Sequence, residues 1–68
     1  MKTATKNQQE ILDYIKKYIN DNGISPSNND IAEFFSRSKT WIIYQTNALK
    51  KKGLLKKRKY HPRSFEIV

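Results

Sequence analysis

The chain has 68 residues, with fourteen Lys or Arg against six Asp or Glu and a net charge of +8. That length holds one small domain with a thin core, and no cysteine is present to staple it or to bind zinc as thiolate. No apolar run approaches the ~20 residues of a membrane span, and the polar N-terminus lacks the apolar stretch of a secretory signal. The expected setting is therefore the cytoplasm, beside the nucleoid in a bacterium or phage-infected cell, and the expected partner is acidic.

The first helix is well marked. Thr5 and Gln8 have capping-box spacing. Ile11, Leu12, Ile15 and Ile19 follow at helical spacing, flanked by Tyr14 and Tyr18. Gly23 suits the left-handed residue that closes a helix. These signals predict a helix over Lys6 to Asn22. Pro26 then holds Ser25 in an extended conformation. Ser27 and Asp30 form a second capping box, and Asp30 also suits the positive end of a helix. Ile31, Ala32, Phe34 and Phe35 are the apolar residues of a short second helix, Asn28 to Phe35. Ser36-Arg37-Ser38 reads as a tight turn, with Ser38 capping the third helix. That helix runs from Lys39 to Lys52, with Ile42, Thr46 and Leu49 facing inward and Gly53 stopping it.

Beyond Gly53 the period changes. Leu54 to Tyr60 reads as a strand, His61 to Ser64 as a turn, and Phe65 to Val68 as a second, half-buried strand with Phe65 and Ile67 on one side. Three helices and a β-hairpin make a mainly α domain in winged helix-turn-helix order, and residues 1–68 are expected to form it as a single unit.

Charge divides the chain sharply. The first 33 residues hold four lysines against five acids. Phe34 to Phe65 holds ten basic residues and no acid. Like charge kept free of acids over that length costs self-repulsion in the folded state unless a polyanion neutralises it.

Gln8 to Asp13, Ile15, Ile19, Gly23, Pro26-Ser27, Ile31-Ala32, Ala48-Leu49 and Lys52-Gly53-Leu54 together resemble the DNA-binding domain of the LexA repressor family. The resemblance covers nearly the whole chain. It implies a winged helix-turn-helix that binds duplex DNA through helix 3, with the wing on the backbone. The sequence departs from the family in three places. The turn before helix 3 is one residue shorter. Lys39 to Tyr44 does not match the family's base-reading residues, so its operator does not carry over. Nothing of the family's self-cleaving domain follows Val68, so autocleavage is not expected of this sequence, and a homodimer would have to form another way.

With helix 3 in the major groove, its exposed residues would read bases. Those are Lys39, Thr40, Ile43, Tyr44 and Asn47. Asn47 suits a bidentate contact to adenine, Lys39 a guanine acceptor, and Thr40 or Ile43 a thymine methyl. Ser27, Arg37, Lys56, Lys57, Arg58, Lys59 and Arg63 are the candidates for phosphate. Trp41 lies between the inward and outward faces.

No catalytic arrangement is legible. His61 is the lone histidine, the basic half has no paired acids, and two glycines make no phosphate-cradling loop. No enzyme activity, cofactor, metal, membrane contact or small-molecule substrate is expected. Double-stranded DNA is the expected partner. The competing readings are an adaptor or inhibitor gripping another protein through Trp41, Ile43 and Tyr44, and a nonspecific architectural binder of nucleic acid.

Overall fold

The computed structural model describes residues 3–57 and 63–68. Its elements are α1 (Lys6–Asn22), α2 (Asn28–Phe35), α3 (Lys39–Lys51), β1 (Leu55–Lys57) and β2 (Phe65–Ile67). The order is that of a winged helix-turn-helix, mainly helical with a small antiparallel hairpin.

Local chemistry sets the helix ends. Thr5 Oγ1 accepts from the Gln8 N–H, and Gln8 Oε1 accepts from the Thr5 N–H, both at 3.2 Å. Ser27 and Asp30 repeat this reciprocal box at α2, at 3.1 and 3.2 Å. Each box satisfies two of the four N–H groups that a helix start leaves open. Gly23 closes α1 at φ +74°, and its N–H donates to Ile19 O. Ser36 closes α2 in the same left-handed region at φ 54°, and the Arg37 N–H reaches back to Ala32 O at 3.0 Å. That reversal leaves three residues, Ser36 to Ser38, between α2 and α3.

Two boundaries differ from expectation. α3 ends at Lys51, with Lys52 as its cap, because Gly53 at φ +74° turns the chain and the Leu54 N–H donates to Leu49 O. That turn also delays β1 to Leu55. The strand residues expected beyond Lys57, with His61 and Pro62, lie outside the described residues.

The core joins all five elements. Ile11, Leu12 and Ile15 of α1 meet Ile31 and Ala32 of α2, Ile42 and Leu49 of α3, and Leu55 and Phe65 of the hairpin. Ala4, Tyr14, Ile19, Phe35, Trp41 and Leu54 pack against this cluster, partly buried. The hairpin pairs Leu55 with Ile67, Lys56 with Glu66 and Lys57 with Phe65. Phe65 is buried as expected, while Ile67, on the same side, keeps 36% of its surface exposed. A two-stranded ribbon buries only the part of its face that the helices reach. Phe34 also departs from a simple inward reading, being 64% exposed.

Candidate nucleic-acid interface

α3 presents one face to the core and the other to solvent. Ile42, Thr46 and Leu49 are buried, and the Thr46 hydroxyl donates to Ile43 O at 3.1 Å, so its burial leaves no donor unmet. Lys39, Thr40, Ile43, Tyr44 and Asn47 are all exposed, Tyr44 most openly at 70% and Ile43 at 37%. Tyr44 and Asn47 line a broad concavity of about 800 Å³ with Ala48, Lys50 and Lys51.

The setting of α3 on α1 depends on polar contacts that no local pattern announces. Gln8 is buried, and its Nε2 donates to Gln45 Oε1 at 3.2 Å. Gln8 Oε1 accepts from Lys52 Nζ at 2.6 Å, and Lys52 also donates to Thr3 O at 2.9 Å. The cap of α1 is therefore bonded to the middle of α3 and to its C-terminal end. The sequence reading assigned Gln8 only its capping role and missed Gln45.

Trp41 is half-buried against the core, and the Arg37 guanidinium lies 4.7 Å from its ring centroid. Its partial burial sets it off from the exposed Ile43 and Tyr44. Arg37 itself stays exposed beside α3.

The hairpin is tied to the loop between α1 and α2. The Phe65 N–H donates to the buried Ser25 Oγ at 2.9 Å, and Ser25 Oγ donates onward to Pro26 O at 2.9 Å. Arg63 was expected on phosphate. Its Nη1 donates to Asp30 Oδ2 at 2.6 Å, to Tyr18 OH at 3.2 Å and to Ser25 O at 3.4 Å. Asp30 also accepts from the Ser27 N–H, which is the larger cause holding its carboxyl below the usual range; partial burial opposes this, and the Arg63 hydrogen bond adds to it. Arg63 therefore straps the hairpin to α1 and α2.

Among the described wing cations, Lys56 and Lys57 are exposed. Lys56 lies opposite Glu66 in register, and Lys57 Nζ is 5.2 Å from the Phe65 ring centroid. Arg58 and Lys59 lie outside the described residues. Lys57 shares a concavity of about 210 Å³ with Ser27, Asn28, Asn29 and Lys39. Three elements meet there: the first turn of α2, the first residue of α3, and β1. The capping box uses the N–H groups of Ser27 and Asp30, which leaves those of Asn28 and Asn29 for another acceptor. Helix-end N–H groups and two ammonium groups around one hollow make a surface complementary to an anion.

Among the described residues no cluster of His, Asp or Glu could hold a metal ion, and no helix is long and apolar enough to cross a membrane.

Residues 1–64 match the family described as the LexA DNA binding domain. The LexA repressor of Thermosipho melanesiensis is 41% identical over 68 residues, covering 100% of this chain and 34% of that protein. The LexA repressor of Pseudothermotoga lettingae is 39% identical over 67 residues, covering 98% of this chain and 33% of its own length. That of Staphylococcus epidermidis is 35% identical over 69 residues, with 100% and 34% covered. The chain spans about a third of the length of these curated relatives.

Proposed function

The chain belongs to the LexA DNA-binding domain family, and from that membership we propose that it binds double-stranded DNA as the reading head of a transcriptional regulator. Residues 1–68 act as one winged-helix unit. α3 enters the major groove, where Lys39, Thr40, Ile43, Tyr44 and Asn47 meet base edges. Ser27, Arg37, Lys56 and Lys57, with Arg58 and Lys59, meet the phosphates. Arg63 contributes by holding the wing rather than by touching DNA. The unit performs no catalysis. It works where the DNA is, in the cytoplasm, and a second copy on an adjacent half-site would extend its contact with DNA.

The observation that carries this reading is the hollow shared by Ser27, Asn28, Asn29, Lys39 and Lys57. One phosphate there would bridge the helix that precedes the reading helix, the reading helix itself and the wing. A groove-bound helix needs that fixing of register by backbone contacts before its side chains can discriminate bases. The adaptor reading through Trp41, Ile43 and Tyr44 has less support, since Trp41 packs on the core beneath Arg37.

A mobility shift on random duplex fragments at two salt concentrations tests the proposal. With roughly five to seven phosphate contacts, log K against log [salt] should fall with a slope of about −5 to −6. Absence of binding at low salt would reject it.

A further inference from the structure

One aromatic cluster stands apart from the basic face. The Phe34 ring stacks on Tyr14 at a centroid distance of 4.3 Å and an interplanar angle of 25°. Phe35 meets both rings edge-on, 5.7 Å from Tyr14 and 5.0 Å from Phe34. Tyr18, one turn along α1, lies 5.9 Å from Tyr14. None of these rings lines either basic concavity. Phe34 is 64% exposed and forgoes most of the stabilisation that burying a phenyl ring brings.

The cluster is bordered by carboxylates. Burial raises the Tyr14 phenol first, but Asp30 and Glu33 are near enough to raise it further. Glu10 and Asp21 lie four residues before and seven after Tyr14 on α1, along the same helix face. Asp30 is paired with Arg63 and Asp21 with Lys17. Among the described residues, Glu33 and Glu10 therefore carry the open charge of this face. Elsewhere the chain supplies its own cations to its rings: Arg37 lies 4.7 Å from the Trp41 centroid and Lys57 5.2 Å from that of Phe65. The Tyr14–Phe34 stack is set among acids instead, and its exposed ring offers the same attraction to a cation from outside.

We propose that the Tyr14–Phe34 face is a docking surface for a basic segment of another protein, with an Arg or Lys side chain lying over Phe34 and neutralised by Glu33. The rim decides the charge of the occupant. An acidic segment would repel Glu10 and Glu33, and a purely apolar one would desolvate them without a partner. The net charge of +8 opposes a cationic partner at a distance, but physiological salt screens charges beyond ~8 Å. The surface lies off the basic concavities, so the chain can hold this partner and DNA together.

The test is an NMR titration of the isotope-labelled chain with the peptide acetyl-Gly-Arg-Gly-Arg-Gly-amide, and with the same peptide carrying citrulline for arginine. The Arg peptide should move the Phe34 and Tyr14 ring resonances with saturation. The citrulline peptide should bind at least threefold more weakly. Phe34→Ala should abolish the effect while leaving the fold's amide spectrum intact, because the ring is exposed, and Glu33→Gln should weaken it. Equal shifts with both peptides, or shifts spread over all six acids, would overturn the proposal. So would the same ring shifts on concentrating the chain alone, which would make a second copy the occupant.

Discussion

Arg63 Nη1 lies 2.6 Å from Asp30 Oδ2, so the residue leading into β2 is bonded to the first turn of α2. The guanidinium also reaches Tyr18 on α1 and the backbone of Ser25. A basic residue of the wing thus pairs with an acid of the same chain, tying the hairpin to α1 and α2. The side chains stay 43% and 26% exposed, so the pair belongs with partly screened ion pairs rather than buried ones.

This division of labour separates two substitutions. Arg63→Ala should lower stability, visible as a fall in Tm on thermal unfolding, because the hairpin loses its bonds to Asp30, Tyr18 and Ser25. It should leave the salt slope of DNA binding unchanged. Lys57→Ala should do the reverse, reducing that slope by about 1 with little effect on Tm. Thermal unfolding and salt titration of both variants check this. A reduced slope for Arg63→Ala would return it to the phosphate contacts.

The same pair predicts a pH dependence. The folded state holds the Asp30 carboxylate more tightly than the unfolded chain does, through the Ser27 N–H and Arg63. Its contribution is therefore complete above pH ~4, the ordinary aspartate value, and is lost as pH falls through the lower folded value. Chemical denaturation should show stability falling more steeply on acidification in the wild type than in Asp30→Asn. Parallel curves would show that Asp30 does not act this way.

Gln8 supports the reading helix from beneath. Its removal leaves Gln45 and the Thr5 N–H without that side-chain partner and Lys52 with Thr3 O alone. Gln8→Ala should cost about 1–3 kcal/mol in urea unfolding, the range for stranding part-buried polar groups. It should also weaken DNA binding without changing the preferred sequence. A cost near zero would mean that the contacts to α3 are dispensable.

What the sequence made legible was local. Both capping boxes join residues three apart, and the helices begin where Thr5, Ser27 and Ser38 place them. The inward set Ile42, Thr46 and Leu49 follows from a helical period and is buried as expected. The contacts that complete the site cross the chain instead. Arg63 and Asp30 are 33 residues apart, and Gln8 and Lys52 are 44. Propensity and period carry no information about such pairs. Arg63 therefore looked like one more surface cation, and Gln8 like a cap alone. Trp41 fell between two faces of its helix, and its packing against the core, beneath Arg37, shows which side it favours.

Selection of bound duplexes from a randomised DNA library, with the wild type and with Asn47→Ala, tests the central claim that α3 reads bases while the wing holds phosphates. The wild type should enrich one motif, and Asn47→Ala should change the preference at one base position, each altered contact being worth about 1–3 kcal/mol. No enriched motif, or an Asn47→Ala variant that loses all sequences equally, would contradict it.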